Sequence, residues 1–119
     1  MNVIHYFNIL LSGFSQGAMM SLFCALYGKL KVAGVLSYSG MLVPNPHSQI
    51  IHKPQLKLLH GDEDQVVPLQ ACYKTIDFLK KHKVPMEYNI ERGIGHTITN
   101  SGLNKGGEFL ANLISKINK

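Results

Sequence analysis

Several common functional motifs are missing from this sequence, and each absence excludes a class of function. The chain has six histidines, but none of them shows the H-x-x-x-H or His/Cys spacing of a metal site, so we expect neither a metal nor another cofactor. Its two cysteines, Cys24 and Cys72, lack the C-x-x-C spacing of a redox centre. We expect both to be small buried side chains in a reducing compartment.

Membrane and nucleic-acid signals are also missing. No stretch is apolar for long enough to cross a membrane, and the apolar N-terminal segment lacks the basic region of a secretory signal. The formal charge of +5 is not gathered in a basic run interleaved with aromatic residues, which argues against a nucleic-acid partner. With 119 residues, of which 45% are hydrophobic, the chain has enough apolar material for one core. We therefore predict one cytoplasmic domain over residues 1–119, without stable membrane insertion.

Three short motifs with polar residues follow one another along the chain. They are GFSQG at residues 13–17, HGDEDQVVP at residues 60–68 and GIGH at residues 93–96. A serine nucleophile needs a base within hydrogen-bond reach, and the base needs a third group that fixes its tautomer. The G-x-S-x-G pentapeptide and the order serine, acid, histidine are typical of α/β-hydrolases. Ser15, Asp64 and His96 are therefore the predicted nucleophile, acid and base.

Glycines flank the candidate nucleophile on both sides. Gly13 and Gly17 lie two residues before and two residues after Ser15. Without a Cβ in the way, a sharp strand-to-helix turn passes close to the neighbouring backbone and leaves the serine Oγ exposed. We therefore count both glycines as part of the site.

Strand and helix patterns alternate along the chain. Apolar runs predict strands at residues 8–12, 32–38, 55–60 and 85–91, and helical spacing predicts helices at residues 16–28, 69–82 and 105–117. The first strand is expected to be buried on both faces. Each candidate catalytic residue follows the end of a strand, and ligands bind at that edge of a parallel sheet. The inward residues of the last helix are predicted to be Phe109, Leu110, Leu113, Ile114 and Ile117.

Two aspartates compete for the role of the acid. Asp62 directly follows Gly61 and is able to cap the turn through its own side chain, whereas Asp64 lies just before the next helix. Spacing favours Asp64 without excluding Asp62. Glu63 is expected to point to water, and His60 is expected to pack at the strand end beneath this acidic loop.

Four segments together resemble the phospholipase/carboxylesterase family, which includes the acyl-protein thioesterases. They are GFSQGAM at 13–19, LSYSG at 36–40, HGDEDQVVP at 60–68 and GIGH at 93–96. The resemblance extends from about residue 8 to the C-terminus and implies an α/β-hydrolase fold, with a mainly parallel sheet of about four strands and helices packed on it. It implies Ser15 as nucleophile, Asp64 as acid and His96 as base. It also implies small-molecule or lipid esters or thioesters with acyl chains as substrates, hydrolysed without a cofactor.

Members of this family are about twice as long, so the resemblance implies a truncated fold that corresponds to the carboxyl-terminal half. The absent half carries one of two oxyanion donors, and the N–H of Gln16 is the other. Loss of one donor typically costs about 10² to 10³ in rate. We predict substrate contacts at Met41, Leu42 and Val66. Three functions stay open: an ester or thioester hydrolase, a non-catalytic remnant, and a subunit completed by a separate amino-terminal polypeptide.

The truncation has a consequence for assembly. The first predicted strand lacks its amino-terminal neighbour, and an uncovered apolar strand presents unpaired N–H and C=O groups. Phe7, Ile9 and Leu11 are expected to lie in the uncovered apolar patch. We therefore predict a homo-oligomer, most simply a twofold dimer that pairs this edge with its copy.

Overall fold

The computed structural model describes residues 9–117 and contains four strands and three helices. In chain order they are β1 (Leu10–Phe14), α1 (Gln16–Tyr27), β2 (Gly34–Tyr38), β3 (Gln55–Gly61), α2 (Leu69–Lys81), β4 (Met86–Glu91) and α3 (Asn100–Ile117). The strands form one sheet in the order β1-β2-β3-β4, and each neighbouring pair is parallel. The predicted α/β class and the four-stranded parallel sheet are confirmed.

Apolar residues cover both faces of the sheet. On one face, α1 and α2 pack against alternate strand residues in a cluster that includes Leu22, Ile76 and Val35. On the other face, α3 packs through Phe109 and Leu113 against the remaining strand residues. The alternation arises because successive strand residues point to opposite faces. The sheet is thus the middle layer of three, and β2 is buried along its whole length.

The first strand differs from its prediction. It runs over Leu10–Phe14 rather than residues 8–12, and Asn8 and Phe7 lie outside the described residues. The expectation that it is buried on both faces is wrong, because Ser12 and Phe14 are exposed. The reason is its position at the edge of the described sheet, where it pairs only with β2.

The last helix begins five residues earlier than predicted, at Asn100 instead of Lys105. Glycines in its first turns resemble a loop, but packing requires one of them: a Cβ on Gly106 would collide with the hydroxyl of Tyr38. The prediction that Ile114 points inward is also wrong, since 46% of it is exposed.

The two cysteines have different surroundings. Cys72 is buried in α2, as predicted, and burial raises the pKa of its thiol to about 11. Cys24 is exposed, so the prediction of burial is wrong for this residue. The buried residues of α1 are Ala18, Leu22, Ala25 and Leu26, and Cys24 lies outside that stripe.

Candidate active site

Ser15 occupies the turn between β1 and α1 in a strained conformation. Its φ is 56° and its ψ is −116°, and non-glycine residues rarely have a positive φ. The conformation is held on both sides: the Ser15 N–H donates to the carbonyl of Tyr38 at 2.9 Å, and the Ser15 carbonyl accepts from Met19 N at 3.0 Å. The turn therefore has the geometry expected of a nucleophile elbow.

The two flanking glycines serve the turn differently. A Cβ on Gly13 would collide with the backbone of Gly17 and would lie 2.7 Å from the amide nitrogen of Ala18. Gly13 is thus required by the close approach of α1. A Cβ on Gly17 meets nothing within 4 Å among the described residues, so the close approach of the two segments does not require glycine at position 17.

A continuous hydrogen-bond path joins the three candidate catalytic side chains. His96 Nε2 lies 2.9 Å from Ser15 Oγ, and His96 Nδ1 lies 2.7 Å from Asp64 Oδ2. An ionised carboxylate only accepts hydrogen bonds, so Nδ1 carries the proton and Nε2 presents a lone pair to the serine hydroxyl. The imidazole is therefore oriented to take the proton of Ser15.

The Asp64 carboxylate is fully enclosed and multiply bonded. Its side chain has 0% exposure, and Oδ1 accepts hydrogen bonds from the amides of Val66 and Val67, both at 2.8 Å. Burial by itself raises the pKa of this carboxyl. The hydrogen bonds from His96, Val67 and Val66, together with the charge of His96, outweigh that effect and hold its pKa below the ordinary value. Asp64 is therefore ionised at neutral pH.

Asp62 performs a different task from Asp64. Its Oδ1 accepts a 2.7 Å hydrogen bond from the amide of Gly93, which has a φ of 73°. This contact holds the turn that leads to His96, which is a different turn from the one next to Gly61 that Asp62 was predicted to cap. Of the two acids, the structure brings only Asp64 to His96. Glu63 is exposed.

The loop that carries His96 is fastened at both ends. At the end of β4, Glu91 Oε2 accepts a 2.6 Å hydrogen bond from Thr99 Oγ1, and Thr99 in turn accepts from the amide of Gly102 in α3. In the middle, the amide of Glu63 donates to the carbonyl of Ile94 at 2.9 Å. The loops after β3 and β4 therefore fix each other through their backbones.

His60 is a site residue whose role the sequence did not predict. It is buried, as expected, but its Nε2 lies 2.7 Å from the carbonyl oxygen of Val67 and 3.5 Å from Asp64 Oδ2. The only signal in the sequence is a histidine four residues before the acid. Spacing alone does not reveal that the loop folds back over the strand end.

The predicted substrate contacts lie in three different surroundings. Met41 is half-buried and lines a cavity of about 520 Å³. Leu42 borders the same cavity but is 4% exposed and packs in the core. Val66 is 66% exposed in the acidic loop. None of the three roles is tested by this placement, and they stay predictions.

An apolar groove, separate from the cavity lined by Met41, lies beside the candidate nucleophile. It has a volume of about 320 Å³, and its lining residues are Gln16, Met19, Met20, Phe23 and Val43. Gln16 is the first residue of α1, and N–H groups in the first turn of a helix have no acceptor within the helix. Gln16, the predicted oxyanion donor, is thus one of the residues that line the groove, and its role stays a prediction.

Two negative findings hold for residues 9–117. No group of three or more histidine, cysteine, aspartate or glutamate side chains is arranged to hold a metal ion. Within the same residues, no helix has the length and apolar character needed to span a membrane.

Comparison with known proteins gives consistent matches. The Phospholipase/Carboxylesterase family matches residues 2–114. Acyl-protein thioesterase 1 of Neurospora crassa is 30% identical over 116 residues, which cover 92% of this chain and 47% of the relative. A probable carboxylesterase SOBER1-like protein of Arabidopsis thaliana is 28% identical over 101 residues, which cover 81% of this chain and 38% of the relative.

Solved structures give the same result for the fold. The crystal structure of esterase PE8 matches with a TM-score of 0.81 and 34% identity, over 87% of this chain and 49% of that one. Arabidopsis thaliana SOBER1 matches with a TM-score of 0.83 and 25% identity, over 93% of this chain and 55% of that one. The chain spans about half the length of the curated relatives that it matches.

Proposed function

The chain belongs to the phospholipase/carboxylesterase family, and from this membership we propose that it hydrolyses carboxylic esters or thioesters through Ser15, His96 and Asp64. The observation that carries the proposal is the hydrogen-bond path from Asp64 through His96 to Ser15 Oγ. Relatives named as thioesterases and carboxylesterases support the same reaction class.

In the proposed acylation step, Ser15 Oγ attacks the acyl carbonyl carbon while His96 Nε2 accepts the hydroxyl proton. The negative charge that develops on the carbonyl oxygen is stabilised by the N–H of Gln16. The tetrahedral intermediate collapses when the bond to the leaving group breaks. His96 returns its proton to the departing alcohol or thiol, which leaves an ester on Ser15.

Water completes the cycle. His96 removes a proton from a water molecule that attacks the acyl carbon, and the proton then passes to Ser15 Oγ as the acid departs. Asp64 stays ionised throughout, because its pKa is held below the ordinary value. It stabilises the imidazolium that forms in both steps.

The groove that begins at Gln16 is the proposed site of the acyl chain. Its walls are mainly apolar, from Met19, Met20, Phe23 and Val43, and burial of a methylene contributes about 0.8 kcal/mol. We therefore expect p-nitrophenyl octanoate to have a higher kcat/KM than the acetate. A charge in the groove, as in Met20→Glu, should reduce the preference for octanoate more than it reduces hydrolysis of acetate.

Turnover of p-nitrophenyl acetate and of an acetyl thioester by the purified chain tests the reaction. Ser15→Ala should abolish it. Ser21→Ala is the matched control, because Ser21 lies in α1, the helix that follows Ser15, and its hydroxyl donates to the carbonyl of Gly17. Absence of turnover in the parent chain would contradict hydrolysis and favour the non-catalytic function. Turnover that appears only after addition of an amino-terminal half of a relative would favour the completed subunit.

We also propose that the chain is a twofold dimer in solution, in which β1 pairs with β1 of a second copy. Within residues 9–117, β1 has one partner strand, β2, and its sequence LLSGF contains no charge or proline. Such an edge is a template for pairing with another strand.

Light scattering at micromolar concentration tests the dimer. Ser12→Lys adds a charge at an exposed position of β1 and should give a monomer. Leu10 is less suitable, because it packs partly against the α3 layer. Ser48→Lys adds the same charge in the exposed loop between β2 and β3 and should leave the dimer intact. A monomeric parent, or a dimer that survives Ser12→Lys, would contradict this arrangement.

A further inference from the structure

His60 is a buried polar residue that the proposed reaction steps do not use. It is 3% exposed and lies in β3, which is an interior strand of the sheet. A buried polar side chain is costly unless it is hydrogen-bonded. The ring of His60 meets this requirement through the carbonyl oxygen of Val67, which lies 2.7 Å from Nε2.

The contact with the Val67 carbonyl defines which ring nitrogen of His60 carries the proton. A carbonyl oxygen only accepts hydrogen bonds, so Nε2 of His60 must carry a hydrogen. The amide of the same residue, Val67, donates to Asp64 Oδ1 at 2.8 Å. The backbone of Val67 is therefore held on one side by His60 and on the other by Asp64.

The Asp64 carboxylate is held by several hydrogen bonds. A carboxylate offers about four lone-pair positions. Three are occupied by Val66 N, Val67 N and His96 Nδ1. His60 Nε2 lies 3.5 Å from Oδ2, which is too long for a hydrogen bond, so His60 acts on the carboxylate through the Val67 peptide.

We infer that His60 is a positioning residue for the proposed hydrolysis: its Nε2–H fixes the Val67 peptide, whose amide bonds Asp64 Oδ1, so that the carboxylate stays aligned with His96 Nδ1. This inference rests on the proposed function. The alternative is that His60 only fills space in the core. The two roles differ in the expected effect of a residue of similar size that has no N–H donor: it should lower kcat if His60 positions Asp64, and leave kcat unchanged if His60 only fills space.

Paired variants separate positioning from packing. His60→Phe keeps an aromatic ring but removes the donor, whereas His60→Gln places an amide N–H near the position of Nε2. With p-nitrophenyl acetate we expect His60→Phe to lower kcat about tenfold to a hundredfold, with KM changed less than about twofold, because a small misalignment of a catalytic group has an effect of this size. His60→Gln should keep most of the parental kcat.

The matched control is His82→Phe. His82 also bonds a backbone carbonyl through its ring, that of Phe78 at 2.9 Å, but it is exposed at the C-terminal end of α2. Its replacement should leave kcat unchanged. A folded His60→Phe with parental kcat, or equal losses in His60→Phe and His60→Gln, would overturn the inference.

Nuclear magnetic resonance tests the inference without turnover, and its first measurement uses the parent alone. In the parent, the imidazole proton of His60 should be found on Nε2, and its presence on Nδ1 alone would overturn the inference. The downfield proton of His96 Nδ1, which bonds Asp64, should be weakened in His60→Phe and retained in His60→Gln. A parent without esterase activity that still shows these signals would reject the proposed function and keep the placement of His60.

Discussion

The N–H of Ser15 donates a 2.9 Å hydrogen bond to the carbonyl oxygen of Tyr38, the last residue of β2. The residue with the strained φ of 56° is thus tied to the interior of the sheet. Tyr38 is itself fixed from the other layer, because its hydroxyl donates to the carbonyl of Gly102 in α3. The turn that exposes Ser15 is therefore held by elements on both sides of the sheet.

Ser15 should be the single serine labelled by an activated phosphonate, because its hydroxyl donates a hydrogen bond to His96 Nε2, the base that activates it. Ser15→Ala should abolish labelling, as measured by intact-protein mass spectrometry, and Ser21→Ala should not. Equal labelling of the Ser15→Ala protein would show that another nucleophile reacts.

Asp64→Asn should lower kcat on the order of 10³- to 10⁴-fold, because an amide in place of the carboxylate favours the wrong tautomer of His96. Asp62→Asn should cost less than about tenfold, since the amide oxygen still accepts from Gly93 N and only charge assistance is lost. Steady-state rates on p-nitrophenyl acetate measure both effects. A larger loss of kcat in Asp62→Asn than in Asp64→Asn would show that Asp64 is not the catalytic acid.

Acid unfolding should depend on Asp64. Its pKa in the folded protein lies below the ordinary value of 3.8, so the folded state favours the ionised carboxylate more than the unfolded chain does. The resulting stabilisation is fully present above the unfolded pKa and is lost as pH falls through the lowered folded pKa. Urea unfolding between about pH 5 and pH 2.5 should therefore show a smaller loss of stability in Asp64→Asn than in the parent. Identical losses would contradict the lowered pKa.

Gly13→Ala should destabilise the fold by about 1 to 3 kcal/mol, because the new Cβ collides with backbone that cannot move aside. Gly17→Ala is the matched comparison: its Cβ meets nothing within 4 Å, and alanine in a helix is favoured over glycine by about 1 kcal/mol. Thermal unfolding should show opposite shifts in Tm. If Gly13→Ala has the same Tm as the parent, α1 must lie farther from β1 than the structure shows.

The two thiols should differ in reactivity towards Ellman's reagent near neutral pH. Cys24 is exposed and should react in the folded protein, whereas Cys72 is buried and its pKa is raised to about 11. Because the thiolate is the reactive form, Cys72 should react only after unfolding. In Cys24→Ala the rapid phase should disappear, and its persistence would indicate that α2 opens.

The sequence was sufficient to predict the order of the elements and the three residues that meet at the sheet edge. Parallel strands end at one edge, so residues that follow β1, β3 and β4 are close whatever their distance along the chain. Ser15, Asp64 and His96 each follow such an end. Their placement therefore depends on topology, which apolar periodicity reveals.

Features that depend on particular three-dimensional contacts were not predictable in this way. Asn100 to Gly106 resemble a loop because glycine is a poor helix former, but the space beneath Tyr38 admits only glycine at position 106. The contact of His60 with Val67 requires the loop after β3 to turn back over the strand. Exposure of Cys24 and Ile114 depends on which side of each helix meets the sheet.

The strand order of the sheet has a consequence for synthesis on the ribosome. Each of β2, β3 and β4 pairs with the strand that precedes it in the chain, so each of these strands emerges after its partner. Within residues 9–117, no strand is inserted between two strands that were translated earlier. The hydrogen-bond path at the sheet edge, in contrast, is completed only when His96 emerges. Assembly from the N-terminus should thus pair the strands first and close the site after β4 has emerged.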